Sequence, residues 1–145
     1  MAEEQQNLLQ KLYVEQQLTE NNIKVIRQQV ELTQVLLTSY QTGLKVLKEI
    51  ESKEEGEEML LNVGANVFIR ANLIEPTKVT RALGSGVRIE QSREDALNGV
   101  EQAVENLGKQ YDALIAELEK MINRQSILDT QMRQLASQIQ SQGAQ

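Results

Sequence analysis

The chain has no cysteine, no histidine and no tryptophan, and its only proline is Pro76. Each absence removes a class of chemistry. Without cysteine there are no disulfides and no thiolate nucleophiles. Without histidine as well, the usual zinc sites and histidine-based triads cannot be built. Carboxylates could still hold a hard metal. The acids, however, are spread along the chain or run together at 49–58, where six of them read as a solvated connector. Gly84-Ser85-Gly86 lacks the Lys-Ser/Thr element of a phosphate loop and reads as a hairpin turn. No nucleophile has an evident activating base. The chain is expected to be no enzyme and to hold no cofactor or metal.

Other shortages bound the shape and the partners. Aromatics are 3% of 145 residues, which supplies a single compact core poorly. The net charge of −6 and pI of about 4.8 argue against nucleic acid as the main partner, because phosphate binding needs a clustered basic surface. No stretch approaches the run of about 20 apolar residues that crosses a membrane. The opening Met-Ala-Glu-Glu-Gln-Gln-Asn does not read as a signal peptide. A cysteine-free chain of this kind suits an intracellular, cytoplasmic location.

What is abundant is heptad order. From Leu9 to Leu47, positions spaced alternately by three and four are apolar at nine of twelve. From Leu97 to Gln142 they are apolar at twelve of fourteen. A seam repeating every 3.5 residues keeps two helices in contact along their length. Proline interrupts neither run. Helices are expected at 4–53 and 93–140, the second entered through Ser92-Arg93-Glu94-Asp95, a capping-box pattern with Asp95 in the acidic place. The last residues, from Gln138, are expected to fray.

Between the helices the period changes to two. Met59 to Val63, Val67 to Leu73, Val79 to Leu83 and Val87 to Ile89 alternate as short strands. Breaks fall at Gly64-Ala65-Asn66, Glu75-Pro76-Thr77 and Gly84-Ser85-Gly86. Two successive β-hairpins over 58–91 follow. The fold expected is α with a small β part: a long antiparallel two-helix coiled coil with two hairpins between its helices, one domain over 1–145.

If the helices fold back, facing seam positions sum to 144: Leu47 meets Leu97, Val30 meets Leu114 and Leu9 meets Leu135. Thr19 then faces Gln125, and Gln16 faces Leu128. These polar positions either form a layer that sets register or mark where the helices begin to part. Leu8, Val14, Leu36, Ile115 and Ile127 lie off the seam, and some of them must face water or another chain. Isolated hairpins are marginal in water and their faces need cover. The strands are therefore the expected place for subunits to join, leaving the coiled coil projecting.

The middle of the chain resembles the alpha class of prefoldin. Leu60-Leu61-Asn62-Val63-Gly64-Ala65-Asn66-Val67-Phe68-Ile69 is similar to that family's apolar strand, glycine turn and second strand. Val79 through Glu90, with its Gly84-Ser85-Gly86 turn, is similar to its second hairpin, and Ser92 to Ala96 to its entry into the last helix. The family commonly has proline where this chain has Asn62, a change that leaves the strand pattern intact. Beta-class relatives have one hairpin, so four strands favour alpha. An acidic, cysteine-free chain suits an archaeal member, with a eukaryotic counterpart as the alternative.

The resemblance implies a hexamer of two alpha-class and four beta-class subunits. It implies an ATP-independent chaperone (holdase) that binds unfolded client proteins at the coiled-coil tips and delivers them to a group II chaperonin. The tip residues are then Leu8, Leu9, Leu12, Leu128, Met132, Leu135 and Ile139, exposed if the last two or three layers open. The subunit interface falls on Leu61, Val63, Val67, Phe68, Ile69, Leu73, Val79, Leu83, Val87 and Ile89. The alternative is a structural coiled-coil adaptor that joins specific folded partners.

Overall fold

The computed structural model describes residues 2–144. It contains two long helices, α1 (Ala2–Glu51) and α2 (Arg93–Gly143). Between them lie four strands: β1 (Glu58–Gly64), β2 (Val67–Asn72), β3 (Lys78–Gly84) and β4 (Val87–Ser92). The order is the expected one, and the boundaries move by a few residues. α1 stops at Glu51, two residues before the expected 53, and Ser52 and Lys53 close an open turn onto the carbonyls of Glu49 and Ile50. α2 continues as regular helix to Gly143, past the expected end at 140 and through the stretch from Gln138, and Ile139 within it is half-buried. The start of α2 is capped as the sequence suggests, with the Asp95 amide donating to Ser92 Oγ at 3.1 Å.

The chain, expected as one domain, groups into two compact units. One comprises residues up to Val35 and from Lys109 onward, and the other is Leu36–Gly108. In a coiled coil each layer touches only the next, so contacts accumulate locally along the seam.

In the first unit the helices pack antiparallel. Residues 6–13 of α1 share a groove with 132–136 of α2, while Glu15 reaches back to Arg124. The interior is one seam: Ile23, Leu128 and Leu135 are buried, and so are Thr19 and Thr33. Leu128 is fully buried and Thr19 is 6% exposed. The helices therefore have not parted at this level, and the polar positions sit in a closed layer. Gln16 Nε2 donates to Asp129 Oδ1, beside Leu128, which puts residue 16 at the level that the heptad register assigns to it. Flanking the seam, Arg124 Nε donates to Glu15 Oε1 at 2.9 Å. A chain carrying Val30→Cys and Leu114→Cys should form an intramolecular disulfide in nearly every molecule, read as a faster band on a non-reducing gel. Bridges only between chains would refute this register.

The second unit holds both hairpins and the helix ends that flank them. Lys48 Nζ lies 3.6 Å from Glu101 Oε1 across those ends. β1 pairs with β2 and β3 with β4, each as a separate two-stranded antiparallel sheet. The two hairpins repeat one design at an offset of 20 residues: Glu58↔Asn72 becomes Lys78↔Ser92, and Gly64↔Val67 becomes Gly84↔Val87. Each has a two-residue turn with both residues at positive φ, Ala65 and Asn66 in the first (51° and 57°), Ser85 and Gly86 in the second (52° and 77°). That turn matches the twist of the flanking strands. Each also carries an irregularity just before the turn, at Gly64 (φ 99°) and Gly84 (φ 96°), a backbone shape that favours glycine.

The second hairpin leans on the start of α2. Arg81 is half-buried, and its guanidinium bonds Gln91 Oε1 at 3.4 Å. A Cβ added to Gly99 would lie 2.8 Å from Arg81 Nη1. Ala96, one turn earlier, is buried. Small residues at 96 and 99 let the strand pair approach the helix. Arg93 adds two further ties, its amide to the Thr77 carbonyl at 2.7 Å and its guanidinium to the Pro76 carbonyl at 3.2 Å.

Candidate functional site

Strand register sorts the middle segment into faces. On the first hairpin Met59, Leu61, Val63, Val67, Ile69 and Ala71 alternate onto one face, and Glu58, Leu60, Asn62, Phe68, Arg70 and Asn72 onto the other. The first face is entirely apolar, yet Leu61 remains 41% and Ile69 48% exposed. The opposite face is mixed, with an exposed Arg70–Glu58 ion pair at 3.5 Å. On the second hairpin Val79, Leu83, Val87 and Ile89 share a face with Arg81 and Gln91. Its helix-proximal end rests on α2, while Leu83 and Val87 stay exposed.

Eight of the ten residues expected at an interface thus fall on the apolar face of the first hairpin or on the face of the second that carries Arg81 and Gln91 at its helix-proximal end. Two do not. Phe68 pairs with Asn62 on the mixed face, and Leu73 lies just after β2, where its backbone bonds Glu57 and Gly56. The strands are exposed at this point because each two-stranded sheet buries little of itself. An apolar face of this kind marks a contact surface.

The other apolar surface lies where the chain's beginning meets its end. Leu9 and Met132, both half-buried, line an open groove of about 590 Å³ with Gln6, Gln10, Tyr13, Arg133 and Ala136. On the other flank Leu8, Leu12 and Leu135 line a smaller groove of about 220 Å³ among Gln131, Gln134 and Gln138. Of the seven expected tip residues, five line these grooves. Ile139 is half-buried further along, and Leu128 is sealed in the seam. Leu128 meets a ligand only if the layer opens.

Tyr13 is the residue that heptad reasoning passed over. It is 54% exposed and walls the larger groove. Its position directly after the seam residue Leu12 was the available signal: an aromatic there flanks the seam and covers it from the side. The glutamines around both grooves keep the rim polar without adding charge, and Arg133 is the one charged residue lining either.

Nothing in either surface resembles a reaction centre. Among the described residues no group of three or more acidic side chains could hold a metal ion, and no helix is long and apolar enough to cross a membrane. Two apolar contact surfaces, one on strands and one at helix ends, are what the geometry provides.

Known proteins share this arrangement. A family model described as prefoldin subunit matches residues 19–141. A prefoldin subunit alpha from Thermofilum pendens is 26% identical over 133 residues, covering 92% of this chain and all of that protein. One from Pyrococcus horikoshii is 29% identical, covering 79% of this chain and 80% of its own length. Among solved structures, filamentous PFD from Methanocaldococcus jannaschii superposes with a TM-score of 0.60 at 19% identity, covering 86% of this chain and 98% of that one. The overall fold is shared with that structure, and the family model spans most of both seams and all four strands. On these grounds the chain belongs to the prefoldin family, whose members act as molecular chaperones.

Proposed function

We propose that this chain is the alpha-class subunit of a hetero-oligomer, two alpha-class with four beta-class subunits, joined through the apolar hairpin faces. It acts without ATP as a holdase. Unfolded client proteins bind in the grooves at the free ends of the helices, and the loaded assembly passes them to a group II chaperonin in the cytoplasm.

The observation that carries this reading is the groove of Leu9, Tyr13, Met132 and Ala136, an open apolar surface rimmed by Gln6, Gln10 and the charged Arg133. A client without a fixed sequence needs apolar contact area rather than matched hydrogen bonds. Methionine adapts to varied shapes, which suits such a surface. The exposed face of Leu61, Val67 and Ile69 supports assembly through the strands, because a monomer gains nothing by leaving it wet.

The test is breadth of protection. Chain co-assembled with a beta-class subunit should suppress aggregation of several unrelated denatured proteins at stoichiometric amounts, with no nucleotide. One tight partner and no general protection would favour the structural adaptor instead.

A further inference from the structure

The chain as a whole is acidic, with a net charge of −6, but the free ends of its helices are not. Residues 5–14 and 130–145 contain two basic side chains, Lys11 and Arg133, and no acidic one. Only Arg133 lines a groove. It stands in the larger one beside Met132 and Ala136 of α2, with Leu9, Gln10 and Tyr13 of α1 making up the other wall. Arg133 is exposed, and among the described residues it makes no ion pair or hydrogen bond. Its natural partner is Asp129, because an acid four residues before a base is the favourable order on a helix. Asp129 is engaged elsewhere: its Oδ1 accepts from Gln16 Nε2 across the seam. The cation in the groove is thereby left without a counter-charge.

We infer that Arg133 gives the larger groove a preference among clients, for apolar segments that carry an aspartate or glutamate side chain. The inference rests on the reading of that groove as a client site. Apolar side chains of the segment cover Leu9 and Met132 and pack against the ring of Tyr13, while the carboxylate reaches the guanidinium. A guanidinium takes a carboxylate through two parallel hydrogen bonds. An apolar lining strengthens that contact relative to open water. The groove is open, so a chain passes along it and offers side chains rather than its end.

The smaller groove supplies the contrast. Leu8, Leu12 and Leu135 stand there among glutamines, without a charged residue. That groove ranks segments by apolar area alone. The two flanks of one coil therefore sort segments differently, acid-bearing ones to the Arg133 side and neutral ones to either. Elsewhere the net negative charge of the chain disfavours acidic segments, so the preference is local to Arg133.

The absence of tryptophan makes the test clean, because the indole of a bound peptide is followed without background. The full-length chain is titrated with peptides of one leucine-rich sequence bearing a single tryptophan. The first is blocked at both ends and carries glutamates, the second has glutamines in their place, and the third is the glutamine form with a free C-terminal carboxylate. The glutamate peptide should bind about fivefold tighter than the blocked glutamine peptide, the scale of one exposed ion pair. The margin should close at 1 M salt, where the screening length falls to about 3 Å. Arg133→Gln should bring the two affinities within about twofold of each other. Lys11→Gln removes the same charge outside both grooves and should leave the margin as it was. Tyr13→Ser should weaken both peptides together. Equal affinity of the unaltered chain for the glutamate and glutamine peptides would overturn the preference while leaving the groove as a client site. So would a margin that survives Arg133→Gln, one that Lys11→Gln removes equally, or one shown by the free-ended peptide alone. Binding of neither peptide, or binding untouched by Tyr13→Ser, would remove the groove as a client site and the preference with it.

Discussion

Deleting residues 1–12 and 133–145 should abolish suppression of aggregation while leaving assembly with beta-class subunits intact. The deletion removes Leu8, Leu9, Leu12, Leu135 and Ala136, most of the apolar wall of both grooves. It spares Gln16, Thr19 and Leu128, so a closed layer, tied by Gln16 to Asp129, still ends the shortened coil. It also lies far along the sequence from all four strands. Burying a leucine side chain is worth about 1.5–3 kcal/mol, so losing several such contacts should weaken client binding at least about tenfold. The measurement is light scattering of a denatured client, with native mass as the check on assembly. Undiminished protection by the shortened chain would remove the tips from the mechanism.

Ile69→Lys should have the opposite profile, with assembly lost and both helices retained. Ile69 sits opposite Leu61 in the middle of the apolar face of the first hairpin, and it is 48% exposed in the lone chain. In solution a lysine there costs little. Once another subunit covers the face, its charge has no partner, and an uncompensated buried charge costs roughly 3–5 kcal/mol. That is a loss of more than a hundredfold in association. Phe68→Lys is the informative comparison, because Phe68 lies on the mixed face beside Arg70 and Asn62. Its effect should be clearly smaller. Native mass after co-expression with a beta-class subunit reads both variants, and helical circular dichroism confirms that the fold survives. Equal loss in the two variants would mean that both faces are covered in the assembly.

Heptad and alternating patterns act locally, and so the elements were legible in the residues. The spacing of Leu9 to Leu47 and Leu97 to Gln142 specifies helices with one sticky side, and Gly64 and Gly84 specify where the strands turn. Ser92 announces the start of α2. Even the level at which Gln16 meets α2 could be counted, because an unbroken repeat leaves one continuous register.

What the residues alone left open was which side of each pattern would be covered. Gln16 and Thr19 could have marked an opening; chain reversal and close approach buried Thr19 and, in the adjoining layer, Leu128. Tyr13 reads as a surface residue until α2 passes beside it and turns it into a groove wall. Phe68 reads as one more apolar strand residue until pairing with Asn62 assigns it to the mixed face. Gly99 has no evident purpose until the guanidinium of Arg81 is seen lying over it. Periodicity is a property of neighbours along the chain, whereas burial depends on residues a hundred positions away, and only their meeting in space decides it.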